Sequence, residues 1–329
     1  MAGLACAQRL NAAGAEVTIF EKGRRPGGRL ATRRRDGFSF DHGAQYATAR
    51  GPAFQAFLAD AAGLVAPWDA SAAHPRWVGV PGMSAFAEAA ERRGIGRLLT
   101  GRHVSFLIRT DKGWHLRHLD AATTRPGTVI DEGERAGPFD RVVLALPAMQ
   151  AAGLLSALDH GFAAAVAAVV TAPCWTLMLA FSERQPGPDT RTPEGVLDWI
   201  ARDSSRPGRP MLPDAWVANA GPAWSRGNLE REPGAVLADL QAVFRAETGI
   251  EAAPAYAAVH RWRYARTESP LGQACLWDPA GLAVCGDWCL GPAWKPRSIP
   301  AAPPPRPAAE RSELLRFGSL DRLTPPHHC

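Results

Sequence analysis

The sequence predicts an α/β protein that combines a doubly wound, parallel region with an α+β region built on a mixed or antiparallel sheet. Three observations predict this class. Residues 1–21 have the pattern of a helix, a tight turn and a buried strand. Two short apolar runs, 139–147 and 281–287, have the composition of core strands. Residues 173–260 place four tryptophans on predicted strands or strand ends.

The opening segment has the order found in the second half of a dinucleotide-binding βαβ unit. In that unit a helix N-terminus faces a pyrophosphate, and an acid at the end of the next strand binds ribose hydroxyls. Glu21 is that acid, although an ordinary exposed acid is the alternative. Gly3 can only be the last glycine of a Gly-x-Gly-x-x-Gly turn. We therefore expect a Rossmann-like domain whose first strand is missing.

The remaining elements follow from periodicity and turn residues. A strand begins at Trp77, and the turn 110–113 joins two alternating strands into a hairpin of 103–108 and 114–119. Ser84 is the predicted N-cap of one helix. Apolar spacing of three and four residues predicts four further helical segments, which are 54–62, 84–93, 150–158 and 234–249.

The chain is predicted to divide into three parts, two of them discontinuous. A cofactor-binding domain covers 1–72, 100–150 and 258–292, and a substrate domain covers 73–99 and 151–257. Residues 293–329 are rich in proline and lack apolar periodicity, which predicts a disordered tail. A late start codon and a shifted reading frame near Gly291 would explain both unusual ends.

Composition excludes several classes of protein. Hydrophobic residues make up 46% of the 329, and no apolar run approaches a membrane span, so a cytoplasmic protein without a membrane partner is expected. The net charge of +5 comes from scattered arginine, which does not indicate a nucleic-acid partner. The six cysteines show no zinc-type spacing, and no metal site is predicted.

Three motifs besides the opening segment carry chemistry. In 21–30, adjacent glycines would let backbone amides approach an anion beside Arg29; a surface loop is the alternative. In 40–46, the small residues and Gln45 suit contact with a flat ring system. The alternative is that residues 40–46 form only a turn before a helix. In 283–288, Asp287 follows a core strand at its carboxyl end, which is where α/β sheets bind ligands. The alternative is a strand-end turn in which Asp287 caps a helix.

These motifs, in this order, resemble the flavin-dependent amine oxidase superfamily and most closely its renalase-like branch. Residues 40–46, 262–264 after His260, and 286–288 favour that branch. The resemblance extends from about residue 2 to residue 292, with an N-terminal truncation and an aberrant C-terminus. It implies a bound FAD and an oxidoreductase in which the flavin accepts a hydride and dioxygen reoxidises it.

The resemblance also implies roles for individual residues. Gly3 would open the helix at the pyrophosphate, Glu21 would bind the adenosine ribose, and Val104 would contact adenine through its backbone. Asp287 would bind the ribityl or phosphate part. The implied cofactor-binding set is Gly3, Glu21, Lys22, Gly28, Arg29, Ala44, Gln45, Val104 and Asp287.

The implied substrate is small and flat, a dihydronicotinamide of the wrong isomeric form. Candidate contacts are Trp175, Trp199, His260, Trp262 and Trp288, although any one of these is more commonly a core residue. Three alternatives stay open: a flavin oxidase acting on an alkylamine, a NAD-dependent dehydrogenase, and a non-catalytic remnant or interaction module of the same fold.

Overall fold

The computed structural model describes residues 1–49, 51–69, 75–124 and 133–291. Its α-helices are α1 (Ala2–Ala12), α2 (Pro52–Asp60), α3 (Ala85–Arg92), α4 (Ala148–Ala157), α5 (Ala163–Ala167), α6 (Pro222–Gly227) and α7 (Pro233–Thr248). Its strands are β1 (Thr18–Glu21), β2 (Thr32–Arg35), β3 (Phe38–Asp41), β4 (Ala47–Thr48), β5 (Val65–Pro67), β6 (Arg76–Gly79), β7 (Arg97–Thr100), β8 (Arg102–Thr110), β9 (Gly113–Asp120), β10 (Glu134–Phe139), β11 (Val142–Leu144), β12 (Val170–Phe181), β13 (Thr190–Arg191), β14 (Leu197–Arg202), β15 (Asp214–Ala220), β16 (Tyr256–Ser269), β17 (Leu276–Trp277) and β18 (Leu282–Val284).

The predicted mixed α/β class is confirmed, and the longest helices form where periodicity predicts them. Helix α7 shows why. Pro233 occupies the first turn, where its missing N–H costs nothing, and Gly249 ends the helix in a left-handed conformation with φ of 71°. Val236, Leu240 and Phe244 recur every four residues and are all buried.

The chain forms two compact units. Unit 1 comprises Met1–Pro26, Ala90–Val170 and the described part of Glu268–Cys329. Its parallel strands occur as two pairs, β1 with β7 and β11 with β18. Strand β17 extends the second pair in the antiparallel direction, and β8, β9 and β10 form a separate antiparallel sheet. Among the described residues no strand joins the two parallel pairs into one sheet.

The core of unit 1 is apolar and lies around α4. The buried side chains of α4 pack with β11, β18 and the hairpin β8–β9, and Trp114 and Trp288 are its largest members. Full burial of one such side chain contributes roughly 1.5–3 kcal/mol. This core keeps the short parallel strands in place, because three-residue ladders alone are marginal.

Unit 2 comprises Gly27–Ala89 and Thr171–Thr267 and is built on a five-stranded sheet in the order β13-β14-β15-β12-β16. One face of this sheet carries Trp175 and Trp216 and packs with the apolar side of α7. Residues of β12 and β15 that alternate with these pack with Phe40 of β3 on the other face. The hairpin β2–β3 and the small sheet β4-β6-β5 complete the unit.

The compact units do not coincide with the predicted functional domains. Residues 27–49 and 51–69, for example, pack within unit 2, while the division by function stays a prediction. The tail predicted for 293–329 lies outside the described residues. None of the described helices has both the length and the apolar character required to cross a bilayer.

Candidate functional site

In unit 1 the N-terminus of α1 has features that suit an anion. The helix has no side-chain cap and no acidic residue in its first turn. Its first backbone N–H groups therefore have no partner within the helix and suit a negatively charged ligand. A Cβ at Gly3 would lie 3.1 Å from Cβ of Ala145, directly after β11. Glycine thus lets α1 begin close to the carboxyl end of a parallel strand, which is the role of the third fingerprint glycine.

Asp287 lies in a turn at the carboxyl end of β18, the parallel partner of β11. A Cβ at Gly286 would lie 2.3 Å from Nε1 of Trp288, so glycine lets this indole fold back along the chain. The indole then donates to the Leu146 carbonyl at 2.8 Å. Trp288 is 1% exposed and belongs to the core of unit 1, so the structure gives it a packing role and not that of a substrate wall.

Glu21, Lys22 and Val104 come together through strand pairing. Glu21 ends β1 opposite Thr100 of β7, and β8 begins two residues later. The Glu21 carboxylate accepts from the Gly23 N–H at 2.6 Å. The pairing of β8 with β9 shifts register directly after Val104, and such bulges are frequent beside binding sites.

The neighbouring His103 supplies a further polar group. Its Nδ1 is buried and has no hydrogen-bond partner among the described residues. Burial, with the charge of Lys22, lowers its pKa, so the ring is neutral at pH 7. Open N–H donors, a strand-end carboxylate and a bulged strand edge fit the phosphate, ribose and base of a nucleotide. The described residues include no cluster of His, Cys, Asp or Glu that could hold a metal ion.

In unit 2 the Gly28–Arg29 turn packs against the segment 43–45. Gly28 has φ of 56°, which favours glycine. The Arg29 carbonyl accepts from the Ala44 N–H at 2.8 Å, and a Cβ at Gly43 would lie 1.9 Å from that same oxygen. The small residue at position 43 is therefore required by the protein's own backbone. The Arg29 guanidinium donates to the Ala265 carbonyl at 3.0 Å.

The side chain of Gln45 is fully engaged within unit 2. Its amide nitrogen donates to the Asp41 and Gly43 carbonyls at 2.7 and 3.0 Å. Its amide oxygen accepts from the Trp199 indole at 3.2 Å and from Arg206 at 2.8 Å. Gln45 is 8% exposed, so its amide orients the surrounding side chains and has no spare donor for a ligand.

A buried charge cluster holds this segment. Asp41 and Asp203 are 0% exposed and share the guanidinium of Arg209, at 2.5 and 2.7 Å. Asp203 also accepts from the Asp41 N–H and from Arg206, and Arg206 in turn donates to the Gln45 carbonyl. Thr32 donates to Asp41 at 2.6 Å. We call Asp41, Asp203, Arg206 and Arg209 the buried charge cluster.

The two carboxyl groups of this cluster differ in acidity. Burial, reinforced by the charge of Asp203, raises the pKa of Asp41. Burial opposes ionisation of Asp203 as well, but the guanidinium groups of Arg206 and Arg209 outweigh it and lower the pKa of Asp203. Asp203 is therefore the anion around which the two arginines are arranged.

Two neutral histidines and a tryptophan lie at one end of this region. The His42 ring stacks on Trp262 with a centroid separation of 5.2 Å and meets His260 edge-on at 4.8 Å. The Trp262 indole donates to the His42 carbonyl at 2.7 Å. Burial first, and then neighbouring positive charge, lowers the pKa of both His42 and His260 to about 4. Nδ1 of His42 is buried without a partner among the described residues.

Trp199 contacts this region of unit 2 through Gln45. Besides its bond to Gln45, its ring lies 5.7 Å from that of Tyr46. We call His42, Gln45, Trp199, His260 and Trp262 the polar aromatic face; it joins four of the residues predicted to contact flavin or substrate. Trp175 does not belong to it. The indole of Trp175 is 1% exposed, lies on the α7 side of the sheet and donates to the Asn228 carbonyl at 3.0 Å.

Comparison with known proteins agrees with this architecture. A family profile for NAD(P)-binding Rossmann-like domains matches residues 1–61. A putative protoporphyrinogen oxidase from Exiguobacterium sp. 255-15 superimposes with a TM-score of 0.60 and 12% identity, over 87% of this chain and 92% of that one. An oxidoreductase from Methanosarcina mazei gives 0.56 and 16%, over 88% and 93%. Cyclohexylamine oxidase from Brevibacterium oxydans IH-35A gives 0.59 and 13%, over 88% and 91%.

These likenesses show the fold. The predicted Rossmann-like region is confirmed by the profile match, and 87–88% of the chain shares the fold of these solved structures. The renalase-like branch, FAD itself and the individual contacts stay predictions.

Sequence reasoning missed the buried charge cluster and the burial of His42. Asp41 and Asp203 are 162 residues apart, and no periodicity connects them. One signal was present in the spacing of Asp203, Arg206 and Arg209 at every third residue. That spacing indicates a charged turn but does not identify its partner.

Proposed function

We propose that this protein is an FAD-dependent oxidoreductase that removes a hydride from a small, flat substrate of the dihydronicotinamide type. The observation that carries the proposal is the open N-terminus of α1 at the carboxyl end of β11, with Asp287 after the adjacent parallel strand. When bound, FAD would accept the hydride from the substrate. The reduced cofactor would then pass two electrons and two protons, one of them from solvent, to dioxygen and so release hydrogen peroxide.

Unit 1 supplies groups suited to the adenosine diphosphate portion of FAD. The N–H groups of the first turn at Gly3 would bind phosphate oxygens, and Glu21 would accept from ribose hydroxyls. The Val104 backbone would lie against the base. A carboxylate at position 21 repels a 2′-phosphate, which favours FAD or NAD over NADP.

The polar aromatic face of unit 2 supplies groups suited to a neutral ring. His42 and His260 carry no charge at pH 7 because burial disfavours their protonation. Trp199 and Trp262 are held in fixed orientations by hydrogen bonds to Gln45 and to the His42 carbonyl. Fixed aromatic side chains bind flat molecules at low cost in conformational entropy.

Cofactor binding tests the first half of the proposal. The purified full chain should be yellow or should be stabilised thermally by FAD, and more by FAD than by NAD. Glu21→Gln should weaken FAD binding about 10-fold, the loss expected for a hydrogen bond to a charged acceptor. The matched control is Glu16→Gln, an exposed acid of the same segment, which should leave binding unchanged. A colourless protein that FAD does not stabilise would support the non-catalytic remnant.

Substrate oxidation tests the second half. Anaerobic reduction of the flavin is measured with dihydronicotinamide isomers and with a panel of alkylamines, and peroxide release is then measured in air. Flavin reduction by the dihydronicotinamides supports the proposal. The likeness to cyclohexylamine oxidase makes amine oxidation the second candidate, and reduction by amines alone would replace the first with the second.

A further inference from the structure

Arg76 lies over two aromatic rings, one of which, that of Trp199, belongs to the polar aromatic face. Its guanidinium carbon is 5.2 Å from the ring centroid of Tyr46 and 5.2 Å from that of Trp199. Tyr46 is 38% exposed, while Trp199 is 9% exposed and Arg76 is half-buried. The two ring centroids are themselves 5.7 Å apart, so the guanidinium lies against both rings, which also contact each other, and is held there by cation–π contact.

Strand pairing determines this position. Strand β6 begins at Arg76, which lies opposite Thr48 of β4. Tyr46 directly precedes β4, and Gln45 directly precedes Tyr46. Because Gln45 also accepts from the Trp199 indole, one continuous set of contacts joins Arg76 to the polar aromatic face.

The guanidinium of Arg76 has different partners from those of Arg202 and Arg209, two other enclosed arginines in unit 2. Arg202 pairs with Asp214 at 2.6 Å, and Arg209 pairs with Asp41 and Asp203. Within the described part of the chain, Arg76 contacts the two rings and the Thr190 hydroxyl, at 3.5 Å, and pairs with no carboxylate. A guanidinium lying over an aromatic ring retains N–H donors that can bind both oxygens of an oxyanion.

We infer that Arg76 is a specificity-determining residue that binds an oxyanion, phosphate or carboxylate, attached to a flat substrate. This inference rests on the proposed function only in placing the substrate on the polar aromatic face. The ring of the ligand packs along that face, and its anionic group reaches the guanidinium that lies over Tyr46 and Trp199. The expected substrate class is therefore a flat heteroaromatic or dihydroaromatic ring that carries a negative charge at a distance from the ring atoms oxidised.

Calorimetric titration of the full chain tests the inference without turnover. The probes are nicotinamide mononucleotide, nicotinamide riboside, which lacks only the phosphate, and nicotinate, which carries a carboxylate. We expect the wild type to bind at least one anionic probe at least 10-fold more tightly than the riboside. Arg76→Gln should weaken that binding 10- to 100-fold, the loss of a charge-assisted hydrogen-bonded pair, and leave the riboside unchanged. Arg76→Lys should recover only part of the affinity.

The control is Arg109→Gln, since Arg109 in unit 1 also lies over a ring, that of Trp114, at 5.4 Å. It should leave all three affinities unchanged. Preference for the mononucleotide identifies phosphate as the recognised group, and preference for nicotinate identifies carboxylate. The inference is overturned if no anionic probe binds more tightly than the riboside, or if Arg76→Gln weakens the riboside equally. The probes are already oxidised, so they bind without any reaction at the flavin. Titrations with and without FAD therefore distinguish failure of this inference from failure of the flavin proposal.

Discussion

Replacing Asp203 with asparagine should be among the most destabilising single changes in unit 2. The Asp203 carboxylate accepts from Arg206, from Arg209 at 2.7 Å and from the Asp41 N–H at 2.5 Å, with no exposure to solvent. Removing one partner of a buried ion pair costs about 3–5 kcal/mol, because a desolvated charge is left uncompensated. Asp41 lies close enough to both arginines to neutralise part of that charge, at 2.5 and 3.8 Å. We therefore expect the lower end of this range, about 3 kcal/mol.

Equilibrium urea unfolding, followed by tryptophan fluorescence, measures this loss for Asp203→Asn. The matched control is Asp239→Asn, which removes an ion pair to Arg231 of 2.7 Å whose side chains are 49% and 41% exposed. Exposed pairs contribute about 0–1 kcal/mol, so the control should barely change the unfolding midpoint. If Asp203→Asn costs no more than the control, the buried charge cluster does not hold the segment 41–45, and the reasoning is wrong.

Two further predictions concern the same unit and one helix of unit 1. Gly43→Ala would place a methyl group 1.9 Å from the Arg29 carbonyl oxygen and should lower the free energy of unfolding by about 3 kcal/mol. The control is Gly153→Ala, inside α4 with nothing within 4 Å, which should raise the free energy of unfolding by about 0.5–1 kcal/mol. Equal shifts in melting temperature for the two variants would contradict this prediction. Burial, the His260 ring and Arg33 lower the pKa of His42 to about 4 in the folded protein. In the unfolded chain the same side chain has its ordinary pKa of about 6.5. Between these two pH values the unfolded chain therefore binds a proton that the folded protein does not bind. Stability should therefore decline from about pH 6.5 to about pH 4, by about 3 kcal/mol for this group. His42→Gln should flatten that part of the stability–pH curve, and an unchanged slope would refute the prediction.

Much of the fold was predictable because its signals are local. The helix from Pro233 is bounded by a proline and a glycine, and Val236, Leu240 and Phe244 repeat at helical spacing. The hairpin of β8 and β9 follows from alternation around a glycine-containing turn. These patterns depend on neighbours within a few residues, so a single sequence contains them.

The candidate sites were predictable only in part. Motif order proposed Gly3, Glu21, Gln45 and Asp287 as cofactor contacts, because nucleotide-binding folds place particular residues at turns and strand ends; these contacts stay predictions. It could not separate Trp199 from Trp175. Both indoles lie on strands of one sheet, and the pairing of β14 with β15 shifts register between Leu197 and Trp199. A shift of one residue exchanges the two faces of a strand.

By itself, the sequence determined the class of fold, and it supplied the candidate residues for nucleotide binding. It also shows that the cysteines lack zinc-type spacing. Only the tertiary structure decided which polar groups are already bound by the protein and which are open to a ligand. Gln45 is saturated, Arg206 and Arg209 are paired with Asp203 and Asp41, and Arg76 lies over aromatic rings. The physical reason is that a side chain's partners come from segments more than a hundred residues away, and hydrogen-bond saturation and desolvation exist only once those segments have packed together.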